Sequence, residues 1–584
     1  MLRSVVAGLL AVTVIGAGVA IMAQPADRWL AARPHVVPTE GVLTLNGEPL
    51  ASAVVTFHAV DGRHSAAGRT DEAGVFHLAT FDDGDGAVPG DYRITVNKTE
   101  IDFVPDPGAP EQAPPLLHLE RHLVPDRYRG IETSGLSATV RTAGRHALAL
   151  QLEGDPPLRP VVHADQIRPN VIFVLADDLG YGDLGCFGQP LIETPHLDRL
   201  AAEGMRFTQA YAGATVCAPS RCALMTGLHG GHASIRGNRE LPDEGQSPMP
   251  AGTRTAAHLM QSAGYSTGLI GKWGLGFPGS HSTPMAMGFD EFFGYNCQRK
   301  AHEYYPDSLW RNDEKVPLDG RQYSHDLLAT EALQFVRKHH KHPFFLEIAF
   351  TIPHAKLQVP DLGRYADRDW SEREQTCAAM ISRMDHDVGR LMSLLKELEI
   401  DERTLVVFAS DNGAAHRFPR FRHSGPLRGF KRDLYEGGIR TPAIARWPGR
   451  IPPGVVSPQI WAFWDLLPTL AELTGQPIPE GLDGVSVLPA LLQNRAVSHP
   501  PLYFEFHERG FSQAARIDDW KGVRTSHNGP LELYDLAVDP GELHNIAEQH
   551  PEVVARLDEF LRGARVDSEL WPIQAGPTKR AGRR

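Results

Sequence analysis

The sequence predicts an α/β protein. A central, mostly parallel sheet carries helices on both faces, a small α+β subdomain follows it, and a β-sandwich precedes it. Three observations predict this. The runs "NVIFVLA" (Asn170–Ala176), "PFFLEIAF" (Pro343–Phe350) and "TLVVFAS" (Thr404–Ser410) are continuously apolar, as strands buried on both faces are. Helical patterns such as "TPHLDRLAAEG", "SHDLLATEALQFVRKH" and "AAMISRMDHDVGRLMSLLKELEI" alternate with them, which argues for a parallel sheet covered on both sides. Upstream the texture changes to short alternating strands separated by turn residues, the pattern of a small sandwich.

The elements follow in order. With 584 residues the chain is too long for one core, so two to four domains are expected. Residues 1–23 hold Arg3 and the uncharged apolar run Val5–Ala23, read as an export signal cleaved near Ala23. The run is also long enough to be kept as a membrane anchor. Either way a periplasmic or extracellular location is expected. Residues 36–152 form the sandwich, with Asn46-Gly47 as a hairpin turn signal and "DDGDGAVPG" as a second turn. Residues 153–167 are a Pro-rich linker, 168–465 the α/β part, 466–570 the C-terminal subdomain with a final amphipathic helix, and 571–584 a basic, solvated tail.

Five cysteines, an odd number without a CxxC pair, exclude a disulfide framework or a zinc cluster as the organising device. A net charge of -13 and a pI near 6.1 argue against nucleic-acid binding. They leave room for an anionic substrate in a locally basic pocket.

In a parallel sheet, ligands bind beyond the carboxyl ends of the strands. There "NVIFVLA" runs into Asp177-Asp178, and "TLVVFAS" into Asp411-Asn412-Gly413. Either pair alone reads as turn chemistry. Together they supply hard oxygen ligands suited to Ca²⁺ or Mg²⁺. A second cluster is "CAPSRCALMTG". Pro219 fits the first turn of a helix, which puts Cys217 at its N-terminus and Arg221 one turn on. An unmodified thiol at that place would be a reactive thiolate. A buried, inert cysteine explains neither the proline nor the arginine.

The Cys-x-Pro-Ser-Arg run resembles the signature of the type I sulfatases. The segments "RPNVIFVLADDLGYGDLGCFG", "STGLIGKWGLG", "MGFDEFFGY", "FASDNG", "GPLRGFKRDLYEGGIRTP" and "ELYDLAVDPGELHNIA" resemble the same family in the same order, from about Arg168 to Arg562. The N-terminal part resembles transthyretin-like or carboxypeptidase-regulatory-like sandwiches. The resemblance implies an alkaline-phosphatase-like fold. It also implies conversion of Cys217 to Cα-formylglycine by a formylglycine-generating enzyme, and one Ca²⁺ held by Asp177, Asp178, Asp411, Asn412 and residue 217. In that family the aldehyde hydrates to a geminal diol that attacks sulfur, and its second hydroxyl later expels sulfate, which a serine could not do. Arg221 would steady that hydroxyl, Lys272 and Lys431 would bind sulfate oxygens, and His354 would protonate the leaving oxygen with Lys431. The substrate class implied is a sulfated saccharide or an aryl sulfate.

One departure stands out. Many sulfatases carry histidine where "GKWGLG" has Gly274, and the family assigns that histidine the deprotonation of the diol. His302, in "QRKAHEYYP", is the candidate replacement, with a plain surface histidine as the alternative. Two other functions stay open at this stage: a phosphodiesterase or phosphonate hydrolase of the same superfamily, and a binding protein on an inactive sulfatase fold. The loops "QRKAHEYYPDSLWRN" and "GAAHRFPRFRHS" are the expected readers of the substrate.

Overall fold

The structure, a computed structural model, describes residues 34–62, 64–81, 84–104, 117–154, 161–163, 168–242 and 244–573. The apolar run of residues 5–23 and most of the basic tail lie outside them. The chain divides into two compact units, residues 1–164 and 165–584.

In the first unit, strand Thr39–Leu45 pairs in parallel with His146–Leu152 and antiparallel with Glu48–Pro49 and Val75–His77. A second sheet runs Ala66–Arg69, Val54–Ala59, Gly90–Asn97, Leu136–Val140, all antiparallel. Inward residues of both sheets, among them Leu43, Val55, Phe57, Phe76 and Ile94, form one apolar core. The Asn46-Gly47 turn has φ of 53° and 87°, the left-handed pair that a two-residue hairpin requires. Within the stretch read as linker, Val161–His163 is instead a strand, paired with Leu117–His122. Its β-branched pair outweighs the surrounding prolines.

In the second unit we label the elements in chain order: β1 Asn170–Ala176, α1 Pro195–Ala202, β2 Met205–Phe207, α2 Cys217–Thr226, α3 Ala256–Ser262, β3 Ser266–Lys272, β4 Glu291–Tyr295, β5 Ser308–Arg311, β6 Glu314–Pro317, α4 Ser324–His339, β7 Phe344–Ala349, α5 Glu372–Glu397, β8 Thr404–Ser410, β9 Ala443–Arg446, β10 Val455–Ser457 and α6 Leu466–Leu473. They build a ten-stranded sheet of order β6-β5-β4-β3-β7-β1-β8-β9-β2-β10. The central five strands, β4-β3-β7-β1-β8, are mutually parallel, and antiparallel pairs flank them. The continuous apolar runs follow from this position. Ile172, Val174 and Ala176 of β1 enter one core with α1, α4 and α5. Val171, Phe173 and Leu175 enter the other with α2, α3 and α6.

Four antiparallel strands follow: β11 Leu502–Phe506, β12 Ser512–Ile517, β13 Trp520–Arg524 and β14 Glu532–Asp535, with α7 Pro551–Gly563 packed on them through Leu557 and Leu561. The small sheet thus starts later than the expected boundary at 466, because Leu466, Leu470 and Leu473 of α6 belong to the core of the main sheet. Nor does the solvated tail begin at 571. Trp571 is buried, and its indole N–H donates to the Ser234 carbonyl at 2.9 Å.

Candidate active site

β1 and β8 lie side by side in parallel with Ala176 opposite Ser410, so Asp177-Asp178 and Asp411-Asn412 leave the sheet together. The Asp178 N–H donates to Asp411 Oδ1 at 3.1 Å, and Asp178 itself takes a φ of 68°. A non-glycine residue in that region costs of order 1 kcal/mol, which the surroundings must hold in place.

Cys217 is the first residue of α2, and the helix ends at Gly227 in the left-handed conformation. Its Sγ lies 3.5 Å from Asp177 Oδ1 and 3.2 Å from Lys431 Nζ. Lys272, the last residue of β3, donates to Asp177 Oδ2 at 2.6 Å. Lys431 donates to Asp178 Oδ1 at 2.5 Å. His354 Nε2 lies 3.2 Å from Asp178 Oδ2, while its Nδ1 meets the Ala355 carbonyl. The His302 ring stacks face to face on His354 with centroids 3.6 Å apart. All the expected site residues therefore converge. Arg221 holds the neighbours of Cys217 rather than its thiol. Its Nε and Nη2 grip Asp411 Oδ2 at 3.1 and 2.8 Å, and its Nη1 donates to the Lys272 carbonyl.

Burial and Asp411 push the Cys217 thiol up, against Lys272 and Lys431, so the reactive thiolate read from the helix N-terminus is corrected. At this fully buried position desolvation outweighs the helix dipole. Burial also acts on Asp177, yet Lys272, His354, Arg221 and Lys431 hold its carboxyl well below the usual range. Asp178 is likewise low, with His354 and Lys431 overcoming burial. Asp411 is raised by burial and by Asp177. Burial brings His354 down to about 4 and His302 to about 2.

Two buried oxygens here, Asp178 Oδ2 and Asn412 Oδ1, have no hydrogen-bond partner. The Asn412 amide faces the other way, donating to Asp178 Oδ1 at 2.7 Å. Ligand atoms of Asp177, Asp178, Cys217 and His354 lie within 4.8 Å of one another. Orphaned oxygens among three crowded carboxylates fit a hard divalent cation.

A cavity of about 450 Å³ opens onto Asp178, Cys217, His302, His354 and Lys431. Its lining also includes residues that reading the sequence did not single out, among them Gln298, Arg432 and Glu508. Gln298 opens the first of the expected substrate loops and Arg432 lies in a segment that carries the family resemblance, whereas nothing local marks Glu508. At Gly274 φ is 72°, and a Cβ there would stand 2.1 Å from Gln298 Nε2. Gln298 thus fills the space that a side chain at 274 would need. The second expected substrate loop contributes less. Only Ala415 of it lines the cavity, His416 is tied to the Pro353 carbonyl, and His423 to Asp183.

A second cluster, in "GLHGGH", is a structural clip. His229 and His232 stack at 4.6 Å and share Asp483. The Gly231 N–H donates to His229 Nδ1, so Nε2 carries the proton that faces the carboxylate.

Residues 169–476 match the family model described as "Sulfatase", and residues 429–567 match "N-sulphoglucosamine sulphohydrolase, C-terminal". The chain is 34% identical to N-acetylgalactosamine-6-sulfatase of Sus scrofa over 70% of its own length and 83% of that protein. To arylsulfatase A of Homo sapiens it is 33% identical, covering 69% of this chain and 89% of that one. Among solved structures, Ps i-CgsB in complex with k-i-k-neocarrahexaose superposes with a TM-score of 0.63 at 30% identity, over 69% of this chain and 94% of that one.

Proposed function

The chain belongs to the sulfatase family, with the alkaline-phosphatase-like fold, and is a sulfuric ester hydrolase; from that premise we propose that it cleaves a sulfated saccharide or an aryl sulfate using residue 217, as formylglycine, and one bound Ca²⁺. The observation that carries the reading is the position of Cys217. It is buried at a helix N-terminus between Asp177 and Lys431, facing the cavity, where burial pushes its thiol pKa up. A protonated thiol is a poor nucleophile, which supports a role as the precursor of another group.

Asp177, Asp178, Asp411, Asn412 and residue 217 would hold the cation, which would supply Lewis-acid polarisation of a sulfate oxygen. Formylglycine supplies an oxygen nucleophile with a second hydroxyl through which sulfate can leave.

The chain's own residues do the rest. Lys272 and Lys431, both buried, place positive charge where sulfate oxygens gather negative charge. Arg221 acts at one remove, fixing Asp411 by two hydrogen bonds and orienting Lys272 through its carbonyl. His354 directs Nε2 at the cluster while its Nδ1–H donates to the Ala355 carbonyl, so Nε2 is the nitrogen that would take up a proton and then pass it to the leaving oxygen. His302 keeps an unpartnered, buried Nε2 in the wall of the same cavity, which supports its role as the base in place of a histidine at 274. Export is part of the proposal and rests on the apolar run of residues 5–23.

The test is peptide mass spectrometry across residue 217, followed by sulfate-release assays with and without chelator. The expected result is an aldehyde at 217 and activity lost on chelation and restored by Ca²⁺. An unmodified cysteine in fully active protein, or turnover that survives exhaustive chelation, overturns the corresponding part.

A further inference from the structure

The chemistry above uses only some of the residues that line the cavity. We propose that Gln298, Arg432 and Glu508, which line it as well, bind hydroxyl groups of the leaving alcohol, so that this alcohol is a sugar ring rather than an arene; the inference rests on the sulfate-ester reading above.

Arg432 directly follows Lys431 and is held at a φ of 77°, with its N–H shared between the carbonyl and Oγ1 of Thr215 at 3.1 and 2.9 Å. This unfavourable backbone fixes where the side chain leaves the chain. Its Nε donates to Glu508 Oε2 at 3.2 Å, and among the described residues the other guanidinium N–H groups take no protein partner. Glu508 is steadied from behind by the Asn238 N–H on Oε1 at 3.2 Å. The pair presents a planar donor fork beside an anchored acceptor, and adjacent sugar hydroxyls offer both functions at that spacing.

Gln298 stands over Gly274 and is 4% exposed. Its Nε2 donates weakly to the Gly274 carbonyl at 3.3 Å, while Oε1 has no partner. A buried acceptor without a donor costs about 1–3 kcal/mol, which an incoming O–H removes. Among the described residues no Phe, Tyr or Trp lines the cavity, so no large apolar ring is there to stack on an aryl group. Glu508, ion-paired with Arg432 at 3.2 Å, offsets its charge, which disfavours a second anion there and favours a neutral polyol.

The experiment compares kcat/KM for a panel of mono-O-sulfated hexoses with that for 4-nitrophenyl sulfate, using the full-length enzyme. Charge-assisted hydrogen bonds of this kind are worth roughly 10–100-fold. Glu508→Gln and Arg432→Met are each expected to lower the saccharide-to-aryl ratio at least tenfold, and Gln298→Leu by about tenfold. Arg432 and Glu508 are only partly buried, so these two variants stay informative if Gln298→Leu folds poorly; melting curves identify that case. An unchanged ratio in both overturns the subsite, as does a wild-type enzyme that cleaves the aryl ester but none of the saccharides. Sulfate release from neither class overturns the sulfate-ester reading itself, and the subsite with it.

Discussion

The two units of the chain bury different chemistry. Strand Thr39–Leu45 of the first alternates buried and exposed positions, whereas β1 of the second is buried throughout. Among its described residues the first unit buries no carboxylate, lysine, arginine or histidine. The second buries Asp177, Asp178, Asp411, Lys272, Lys431, Arg221 and Glu347. Isolated buried charges are expensive, so they persist only where each is paired and where a function keeps them. The comparison separates a unit held by apolar packing from one whose interior also holds charges, those of the proposed site among them.

The largest effect that can break this contrast is at residue 217. Cys217→Ala is expected to fold normally and to release no sulfate above background, measured by ion chromatography of product. Residual turnover near wild type would place the nucleophile elsewhere.

A smaller loss is expected for His302→Ala. Removing a general base typically costs ~10²–10⁴-fold. The loss should fall on sulfate release, so that rapid mixing shows a burst of alcohol ahead of sulfate. Normal turnover without a burst assigns the base to another group.

Glu347 sharpens the contrast in stability. It sits mid-strand in β7 with Oε2 unpartnered, and burial raises its pKa from 4.5 to about 7 against the pull of Arg221. Its folded-state pKa lies above the unfolded one. Its contribution to stability is therefore complete below about pH 4.5 and is lost as pH rises through about 7. Glu347→Gln, which does not titrate, should match wild type at pH 4.5 and be more stable at pH 8 by ~1–3 kcal/mol, read as melting temperature. Identical pH profiles would mean the carboxyl is ionised in the fold.

The smallest effect is expected from removing the first unit. A chain beginning at Asp165 should keep most of its kcat/KM on a small aryl sulfate, because every group of the proposed site lies in the second unit. A large fall with the fold intact would show that the sandwich completes the site.

Much of this was legible before any coordinates. Continuous apolar runs located β1, β7 and β8, and the polar residues immediately after β1 and β8 located the carboxylate cluster, because strand period and covalent adjacency are local properties. The ordered motifs named the family, and Cys217, Arg221, Lys272, His354 and Lys431 with it. Partner choice was decided only in three dimensions. Arg221 grips Asp411, 190 positions away; His302 stacks on His354; and Gln298 takes the room beside Gly274. The thiol of Cys217 reads as reactive from its helix position, yet burial pushes its pKa up, because burial is a property of everything packed around it. The cost of desolvating a charge depends on neighbours from the whole chain. Tertiary packing therefore decided what each titratable group does, whereas the sequence alone determined which groups would be present at the sheet edge.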